Sequence, residues 1–284
     1  MKLATFLLDG RSRVGVVSAD GVLALPEAAG TDVGALVKLG QNTEQWRELY
    51  AHATPVTDAS RLTWLPPVRT PPKILCVGLN YADHTKESPY DQPDYPTLFL
   101  RVATSMVGHE GAIVRPLVSD TLDYEGELAV IIGKGGKHIA KEDALAHVFG
   151  YSIFNDGSVR EYQFKSPQWT VGKNFDATGG FGPVVVTADE LPPGAAGLRL
   201  ETRLNGNVVQ SANTSDMLYD VASLIAIISD AITLEPGDVI VAGTPSGIGW
   251  ARTPKLMMRH GDVCEVSIEG IGTLSNPIED EPAQ

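Results

Sequence analysis

The chain has 284 residues, of which 43% are hydrophobic, and it carries a formal net charge of −13 at pH 7. This length and apolar content support a globular protein with a sizeable core in one or two domains. Because acidic surfaces repel phosphate backbones and anionic lipids, the charge disfavours nucleic acid and anionic membranes as partners. An anionic small substrate would instead need a locally positive site or a metal ion.

Apolar runs in the chain are all shorter than the roughly 20 residues that a membrane span requires. Its two cysteines, Cys76 and Cys264, both lie within apolar runs that favour strands. Two buried free thiols are typical of a reducing compartment, so we expect a cytoplasmic protein.

The N-terminal segment predicts a β-meander followed by helix. Turns at Asp9-Gly10 and Asp20-Gly21 separate short apolar runs, which is the pattern of β-hairpins. A helical spacing of apolar residues then follows, and it comprises Leu36, Leu39, Trp46, Leu49 and Tyr50. Four prolines between Pro66 and Pro72 exclude both helix and central strand, so we predict a domain boundary there. The expected division is a small α+β domain over residues 1–66 and a catalytic domain over residues 67–284.

Beyond the prolines, most segments are short, rich in branched or aromatic residues and separated by turn residues, which predicts strands. Helical segments are expected to be few, with two in "KEDALAHVFGY" (141–151) and "YDVASLIAIISDAI" (219–232), the latter capped by Ser215 or Asp216. The glycine-rich "GKGGKH" and "GTPSGIG" lack the spacing of a phosphate loop and are interpreted as turns. Many strands with few helices predict a mostly β, α+β fold.

Acidic residues alternate in "LDYEGELAVIIG", residues 122–133. Residues two apart in a strand share a face, so Glu125 and Glu127 should project side by side, with Asp123 on the same face. A solvated strand face is the simpler interpretation, but the strand continues apolar on both faces, and a buried carboxylate pair requires neutralisation. Mg²⁺, Mn²⁺ or Ca²⁺ would neutralise such a pair through oxygen ligands.

A third oxygen ligand is expected from "GYSIFNDGSVREYQ", where Asp156 follows a short apolar run. The tripeptide "NDG" is also an ordinary turn sequence, so this assignment depends on the carboxylate pair. Downstream, Arg160 and Gln163 offer a cation and an amide that could contact an anionic substrate.

A second constellation lies in "GLNYADHTKESP", where Asn80 is placed to cap a short helix. His84 and Glu87 would then be neighbours on one helical face, three residues apart. A carboxylate can hold an imidazole in one tautomer and raise its basicity, which is the arrangement of a general base. An ordinary surface pair remains the alternative.

Seven segments together resemble the fumarylacetoacetate hydrolase family. In family order, they are "VGLNYADHTKE", "PTLFLR", "LDYEGELAVIIG", "GYSIFNDGSVREYQ", "GKNFDATGGFGP", "NGNVVQSANTSDML" and "LEPGDVIVAGTPSGIG". They cover roughly residues 70 to 280, and the proline-rich boundary falls where bacterial two-domain members separate their domains.

The resemblance implies a mixed β-sandwich roll, usually a homodimer, with Mg²⁺ or Mn²⁺ held by Glu125, Glu127 and Asp156. It also implies that His84 and Glu87 form a water-activating dyad, on a helix that can become ordered only over bound substrate. Further positions match the family's active-site lysine and its substrate contacts, namely Lys173, Gln163 and Thr244.

The sequence departs from the family pattern at several substrate-facing positions. Arg101 stands where lysine is common, Leu79 where some members carry arginine, and "NDGSVRE" replaces "NDVSARD". These changes leave the expected metal ligands intact.

The resemblance implies hydrolysis of a C–C bond in an acylpyruvate, giving pyruvate and a carboxylic acid, with His84 activating water and Lys173 stabilising oxyanion charge. Isomerisation of a 2-hydroxymuconate-type acid or decarboxylation of oxaloacetate would use the same enolate, so these stay open. A non-catalytic metal-binding scaffold is a further alternative. The group beyond the pyruvate unit would be set by the loops "SPYDQPDY" (88–95) and "EYQFKSPQW" (161–169).

Overall fold

The computed structural model describes residues 1–40, 43–58, 62–87 and 94–283. Its strands are β1 (Lys2–Leu8), β2 (Arg11–Ser18), β3 (Gly21–Ala24), β4 (Thr54–Pro55), β5 (Thr63–Leu65), β6 (Ile74–Gly78), β7 (Thr97–Arg101), β8 (Met106–Val107), β9 (Ile113–Arg115), β10 (Leu122–Asp123), β11 (Gly126–Ile132), β12 (Val148–Asn155), β13 (Ser158–Val159), β14 (Gly179–Thr187), β15 (Arg199–Leu204), β16 (Asn207–Asn213), β17 (Val239–Val241), β18 (Val263–Ile268) and β19 (Gly272–Asp280). Its α-helices are α1 (Val33–Lys38), α2 (Thr43–Ala51), α3 (Ala82–Glu87), α4 (Arg160–Gln163), α5 (Thr170–Lys173) and α6 (Val221–Ala231). The predicted mostly β, α+β class is confirmed.

Two large sheets form the body of the protein. The larger sheet has twelve strands, ten of which follow the order β4-β3-β2-β1-β14-β12-β11-β17-β6-β7. The other two lie off this path, where β5 pairs with β1 and β8 pairs with β14. The second has five strands in the order β16-β15-β18-β19-β9, and β10 and β13 form a separate ladder. Side chains from both large sheets meet in one hydrophobic cluster, so the sheets pack face to face.

Strand β11 is buried along its whole length, as its apolar sequence predicts. Leu128 and Val130 lie in the cluster between the two sheets, and α6 covers the same cluster. Ala129 and Ile131 point to the opposite cluster, against α1. The strand is therefore fixed on both faces, which holds the residues at its start in place.

The predicted N-terminal meander is present as β1 to β3, and β1 also pairs antiparallel with β14. The N-terminal strands thus extend the sheet that the rest of the chain forms, and the domain boundary after residue 66 stays a prediction. The helical piece is α1 and α2, with Asp32 capping α1.

Two details of the predicted helices are wrong. Helix α6 is capped by Asp220, whose carboxylate accepts a hydrogen bond from Ser223, because Ser215 and Asp216 belong to a separate 3₁₀ turn. The segment at 141–151 is a 3₁₀ helix only as far as His147, since Val148 already begins the buried strand β12.

Four strand ends meet at one edge of the larger sheet. The start of β11 lies opposite the end of β12 and beside the end of β17, and the parallel β6 ends at the same edge. Residues that immediately precede or follow these strands therefore converge.

Cys76 and Cys264 are buried free thiols in β6 and β18, as predicted. No helix among the described residues is both long enough and apolar enough to cross a membrane.

Candidate functional site

Three carboxylates meet at this sheet edge. Glu125 and Glu127 flank the first residue of β11, and Asp156 directly follows β12. Each offers an oxygen, and these oxygens lie within 4.8 Å of one another. All three residues are buried, at 4%, 2% and 0% exposure respectively. The structure thus brings together the three residues that the sequence analysis named as metal ligands.

Three cations surround the carboxylates. Lys173 Nζ donates to Glu125 Oε2 at 2.7 Å and to Asp156 Oδ2 at 2.6 Å. Arg101 Nη1 lies 2.5 Å from the other oxygen of Asp156, and Arg160 Nη1 lies 2.6 Å from Glu125 Oε1. Glu125 and Asp156 are therefore each paired twice.

The buried carboxylates around the site outnumber the buried cations by four to three. The carboxylates are Asp123, Glu125, Glu127 and Asp156, and the cations are Arg101, Arg160 and Lys173. Among the described residues, Glu127 has no cation within salt-bridge distance, and its Oε2 accepts only from the backbone N–H of Gly243, at 2.5 Å. A divalent cation fits this donor set, since it would supply the missing positive charge next to oxygen ligands.

The pKa values of Glu125 and Glu127 shift in opposite directions because, among the described residues, only Glu125 is paired with cations. Burial raises the pKa of Glu127 well above its ordinary value, and the neighbouring carboxylates of Asp156 and Glu125 raise it further. Burial also opposes ionisation of Glu125, but Lys173 and Arg160 outweigh it and lower its pKa to about 2.

Lys173 stays protonated at this site. Burial lowers its pKa, but the attraction of Asp156 and Glu125 prevails, so the pKa is raised overall. A fixed positive charge therefore lies beside the carboxylates.

His84 and Glu87 face the same cleft from α3. His84 Nδ1 lies 3.1 Å from Glu87 Oε1, as the spacing of three residues predicts. Because a carboxylate only accepts hydrogen bonds, it favours the tautomer with the proton on Nδ1, which leaves Nε2 free to take a proton. The predicted pair is thus present, with His84 7% exposed.

Glu87 is held by the loop that follows β17. The backbone N–H groups of Gly247 and Ile248 both donate to its carboxylate, at 3.0 and 3.4 Å. The same loop supplies the Gly243 donor to Glu127. The sequence analysis interpreted "GTPSGIG" only as a turn, and its close glycine spacing was the one available indication of backbone donors.

Asp123 is not among the three carboxylates that meet at the sheet edge. It accepts from the N–H groups of Gly249 and Trp250, at 2.8 and 2.9 Å, and from Arg160 Nε at 2.8 Å. It lies in β10, a strand separate from β11, so strand parity does not carry from Asp123 to Glu125. Its contacts hold Arg160 and the backbone at Gly249 and Trp250 in place, which is a structural role.

The predicted substrate contacts divide into two groups. Arg160, Gln163 and Thr244 line the cleft. Thr244 is fixed by hydrogen bonds to Gly126 and Gln210, and Gln163 accepts from Arg160. These three residues stay candidates for substrate contact.

Arg101 lies behind the cleft wall. Its side chain has 0% exposure and bonds to Asp156, Gly157, Ser105 and Thr178. A side chain buried in this way does not contact a substrate in the cleft. Its position instead supports a role in holding Asp156.

Asn80 does not act as the predicted helix cap. Its side chain bonds instead to the backbone of Tyr219 and Ala242, which ties the end of β6 to distant segments.

The loop "SPYDQPDY" (88–95) was expected to help set the group beyond the pyruvate unit. Residues 88–93 of this loop lie outside the described residues.

Four aromatic residues also line the cleft and were not predicted from the sequence. They form two pairs, Phe99 with Trp169 at a centroid distance of 5.5 Å and Phe164 with Trp250 at 5.7 Å. Phe164 and Trp169 lie within the loop "EYQFKSPQW" (161–169) that was expected to shape the substrate site.

Comparison with known proteins gives a consistent result. The family described as fumarylacetoacetate (FAA) hydrolase C-terminal matches residues 73–279. The human protein named oxaloacetate tautomerase FAHD2A, mitochondrial, is 42% identical over 234 residues, which cover 82% of this chain and 74% of that protein.

Solved structures extend the likeness to the full chain. A fumarylacetoacetate hydrolase from the psychrophile Exiguobacterium antarcticum is 39% identical, with a TM-score of 0.88, and covers 99% of this chain and 100% of its own. A 5-carboxymethyl-2-hydroxymuconate delta-isomerase from Mycobacterium smegmatis is 30% identical, with a TM-score of 0.79 and coverage of 100% of both chains. The chain belongs to the fumarylacetoacetate hydrolase family.

Proposed function

We propose that this protein is a metal-dependent enzyme that interconverts the keto and enol forms of a small 2-oxo acid of the oxaloacetate type. The observation that carries the proposal is the convergence of a carboxylate triad, a protonated lysine and a histidine base on one cleft. The 42% identity to a protein named oxaloacetate tautomerase supports this choice of reaction. The expected homodimer is part of the proposal.

The ion would be held by Glu125, Glu127 and Asp156. Three carboxylates suit Mg²⁺ or Mn²⁺, and Ca²⁺ is a possible substitute. When bound, the ion would supply positive charge that stabilises an enolate oxygen and binds the carboxylate of the 2-oxo acid.

The protein's own groups would move and stabilise charge. His84 Nε2 would take a proton from C3 of the keto acid, while Glu87 holds the imidazole by its Nδ1 proton. The enolate oxygen on C2 would be stabilised by the ammonium of Lys173, and the imidazolium of His84 would then give its Nε2 proton to that oxygen, which yields the enol and restores neutral His84. The reverse steps return the proton to C3, so no atom is gained or lost overall.

Arg160 would bind a carboxylate of the substrate. Its side chain is 3% exposed, and its Nη2 is buried without a hydrogen-bond partner among the described residues. Its Nε and Nη1 are occupied by Asp123 and Glu125. A substrate carboxylate that enters the cleft would satisfy this remaining donor.

Hydrolysis of an acylpyruvate is the second candidate. It is favoured by the intact His84–Glu87 pair, which could activate water for attack on the distal carbonyl. It is also consistent with the 39% identity to a structure named fumarylacetoacetate hydrolase. Both reactions pass through an enolate at C2 and C3 and would use the same Lys173 charge.

The test is a substrate panel with metal-free protein reconstituted with Mg²⁺ or Mn²⁺. Keto–enol interconversion of oxaloacetate is followed by the ultraviolet absorbance of the enol, and CO₂ release is measured in parallel. Cleavage of acylpyruvates and isomerisation of a 2-hydroxymuconate are assayed under the same conditions. We expect the highest kcat/KM for oxaloacetate interconversion without CO₂ release. A higher kcat/KM for acylpyruvate cleavage would establish the hydrolase instead.

A further inference from the structure

An aromatic wall begins directly at the proposed reaction centre. Lys173 Nζ, which bonds to Glu125 and Asp156, lies 5.1 Å from the centroid of the Phe99 ring. Phe99 in turn packs edge-on against Trp169 at 5.5 Å. A group bonded to C3 of a 2-oxo acid would therefore reach these rings when its C2 oxygen lies beside Lys173.

Trp169 is held in a fixed position relative to Lys173 and Arg160. Trp169 precedes α5 and accepts a backbone hydrogen bond from Lys173 at 3.2 Å. Helix α5 lies against α4 at Gly172, where a Cβ atom would collide with the backbone of Gln163. Arg160, Lys173 and Trp169 thus belong to one compact unit of two short helices.

A second aromatic pair lines the same cleft. Phe164 follows α4 and is 38% exposed, and its ring lies 5.7 Å from that of Trp250. The backbone of Trp250 is fixed by its bond to Asp123, which also holds Arg160. The second pair is therefore anchored to the same charged groups as the first.

Arg160 lines the cleft, and Lys255 contacts one of its lining residues, Trp250. The buried, unpartnered Nη2 of Arg160 is available for the carboxylate next to C2. The ammonium of Lys255 lies 2.9 Å from the centre of the Trp250 ring, in a cation–π contact. Leu79, where some family members carry arginine, adds a further apolar side chain to the lining.

We propose that the Phe99–Trp169 and Phe164–Trp250 pairs form a subsite for a planar unsaturated or aryl group at C3, which makes arylpyruvates substrates of this enzyme. The inference rests on the proposed keto–enol function and names a substrate class for it. The enol of an arylpyruvate is conjugated with its ring and hence flat, and flat rings gain offset or edge-on contacts with aromatic side chains. The reaction transfers one proton between C3 and the C2 oxygen and needs no further reactant.

The experiment compares phenylpyruvate with oxaloacetate on the metal-loaded protein. Wild type, Trp169→Leu and Trp250→Leu are assayed for keto–enol interconversion of both acids. Trp46→Leu is the matched control, because Trp46 packs against Phe149 away from the cleft. Circular dichroism and thermal unfolding verify that each variant is folded.

We expect wild type to convert phenylpyruvate, and Trp169→Leu to lower the ratio of kcat/KM for phenylpyruvate to that for oxaloacetate by about tenfold. The effect should lie mainly in KM, Trp250→Leu should act in the same direction, and Trp46→Leu should leave the ratio unchanged. An unchanged ratio in both cleft variants, or oxaloacetate turnover with no turnover of phenylpyruvate, would overturn the subsite.

Binding separates this inference from the proposed function. Calorimetry gives the Kd of phenylpyruvate for Mn²⁺-loaded wild type and Trp169→Leu, whether or not either protein turns it over. If neither acid reacts, the proposed function fails, and a Kd that is about tenfold weaker in the variant still supports the aromatic subsite. An equal Kd in both proteins contradicts it.

Discussion

At the residue scale, the site is defined by a shortfall of one positive charge. Glu125 and Asp156 are each paired with two cations, whereas Glu127 bonds only to a backbone N–H among the described residues. Burying an unpaired carboxylate is costly, so the arrangement is favourable mainly when a cation completes it. The raised pKa of Glu127 has the same cause.

Asp156→Asn should abolish tight binding of Mn²⁺, because it removes one of three carboxylates and leaves Lys173 and Arg101 with one anionic partner fewer. Calorimetry on metal-free protein should show affinity lowered by more than about 100-fold. Glu279→Gln is the control, since Glu279 is exposed on β19, and it should bind Mn²⁺ like wild type. Unaltered binding in Asp156→Asn would remove this residue from the ligand set.

His84→Asn should lower kcat for keto–enol interconversion by about 10² to 10⁴, the usual contribution of a general base. Mn²⁺ affinity should be unchanged, because His84 contacts Glu87 and none of the three carboxylates in its hydrogen bonds. Glu87→Gln should reduce kcat less, since the imidazole remains. Retention of wild-type kcat in His84→Asn would show that another group moves the proton.

Arg101→Met should destabilise the metal-free protein by roughly 3–5 kcal/mol, because it leaves the buried Asp156 carboxylate with one cation instead of two. Urea unfolding measures this loss, and Mn²⁺ should restore part of it by binding the same carboxylate. Arg11→Met serves as control, since Arg11 forms an exposed pair with Glu27, and it should change stability little. An equal effect of the two substitutions would mean that Arg101 does not stabilise the site.

Residue patterns could predict the carboxylates but not all of their partners. Alternation placed Glu125 and Glu127 together, and the strand before Asp156 placed it at a strand end. Arg101 was expected at the substrate because it stands where family members commonly carry lysine. Its actual partner Asp156 lies 55 positions away in sequence, and no periodicity links the two. The aromatic pairs were missed for the same reason, since Phe99 and Trp169 become neighbours only when α5 packs beside β7.

At the element scale, the loop from Gly243 to Trp250 connects the parts of the site. Its N–H groups hold Glu127 at the triad, Glu87 at the dyad and Asp123 behind Arg160. One loop therefore fixes the relative positions of three carboxylates with different roles. Backbone donors of this kind leave little trace in a sequence, which is why "GTPSGIG" was interpreted only as a turn.

Gly247→Ala tests this arrangement. Gly247 has φ of 104°, and an added Cβ would collide with the backbone oxygen of Val209, so the N–H that holds Glu87 must shift. We expect faster amide hydrogen exchange in α3 and a kcat lowered by about tenfold or more.

Gly206→Ala is the matched control for this substitution. Gly206 also has positive φ, at 77°, but nothing lies within 4 Å of its added Cβ. Gly206→Ala should lower the free energy of unfolding by an amount comparable to that of Gly247→Ala. Amide hydrogen exchange in α3 should stay as slow as in wild type. If both variants leave exchange in α3 unchanged, the loop does not hold the dyad.

Turns and helices were predicted correctly from the sequence where neighbouring residues determine them. The hairpin turns at Asp9 and Asp20 and the core of α6 were predicted correctly, since turn chemistry and helical spacing are local properties. The end of the helix near residue 147 was not, because pairing of β12 with two buried strands overrides the helical tendency of "AHVFGY".

At the scale of the whole molecule, an acidic chain buries three cations around the cleft. The formal charge is −13, yet Lys173 and Arg160 face the cleft and Arg101 lies behind it. A bound dication would outweigh the excess of one buried carboxylate and make the site net positive, which would attract the proposed 2-oxo acid despite the acidic surface. The sequence predicted the need for such a site, but its place at the meeting of four strand ends depends on sheet order.

The most direct test of the account titrates metal-free enzyme with Mn²⁺ and measures keto–enol interconversion of oxaloacetate, with Glu127→Gln in parallel. We predict that the wild-type rate rises from the uncatalysed level and saturates along the Mn²⁺ binding curve, while Glu127→Gln stays near the uncatalysed rate at the same concentrations. Full activity of the wild type in EDTA, or a wild-type response in Glu127→Gln, would contradict the central claim that the buried triad holds the catalytic ion.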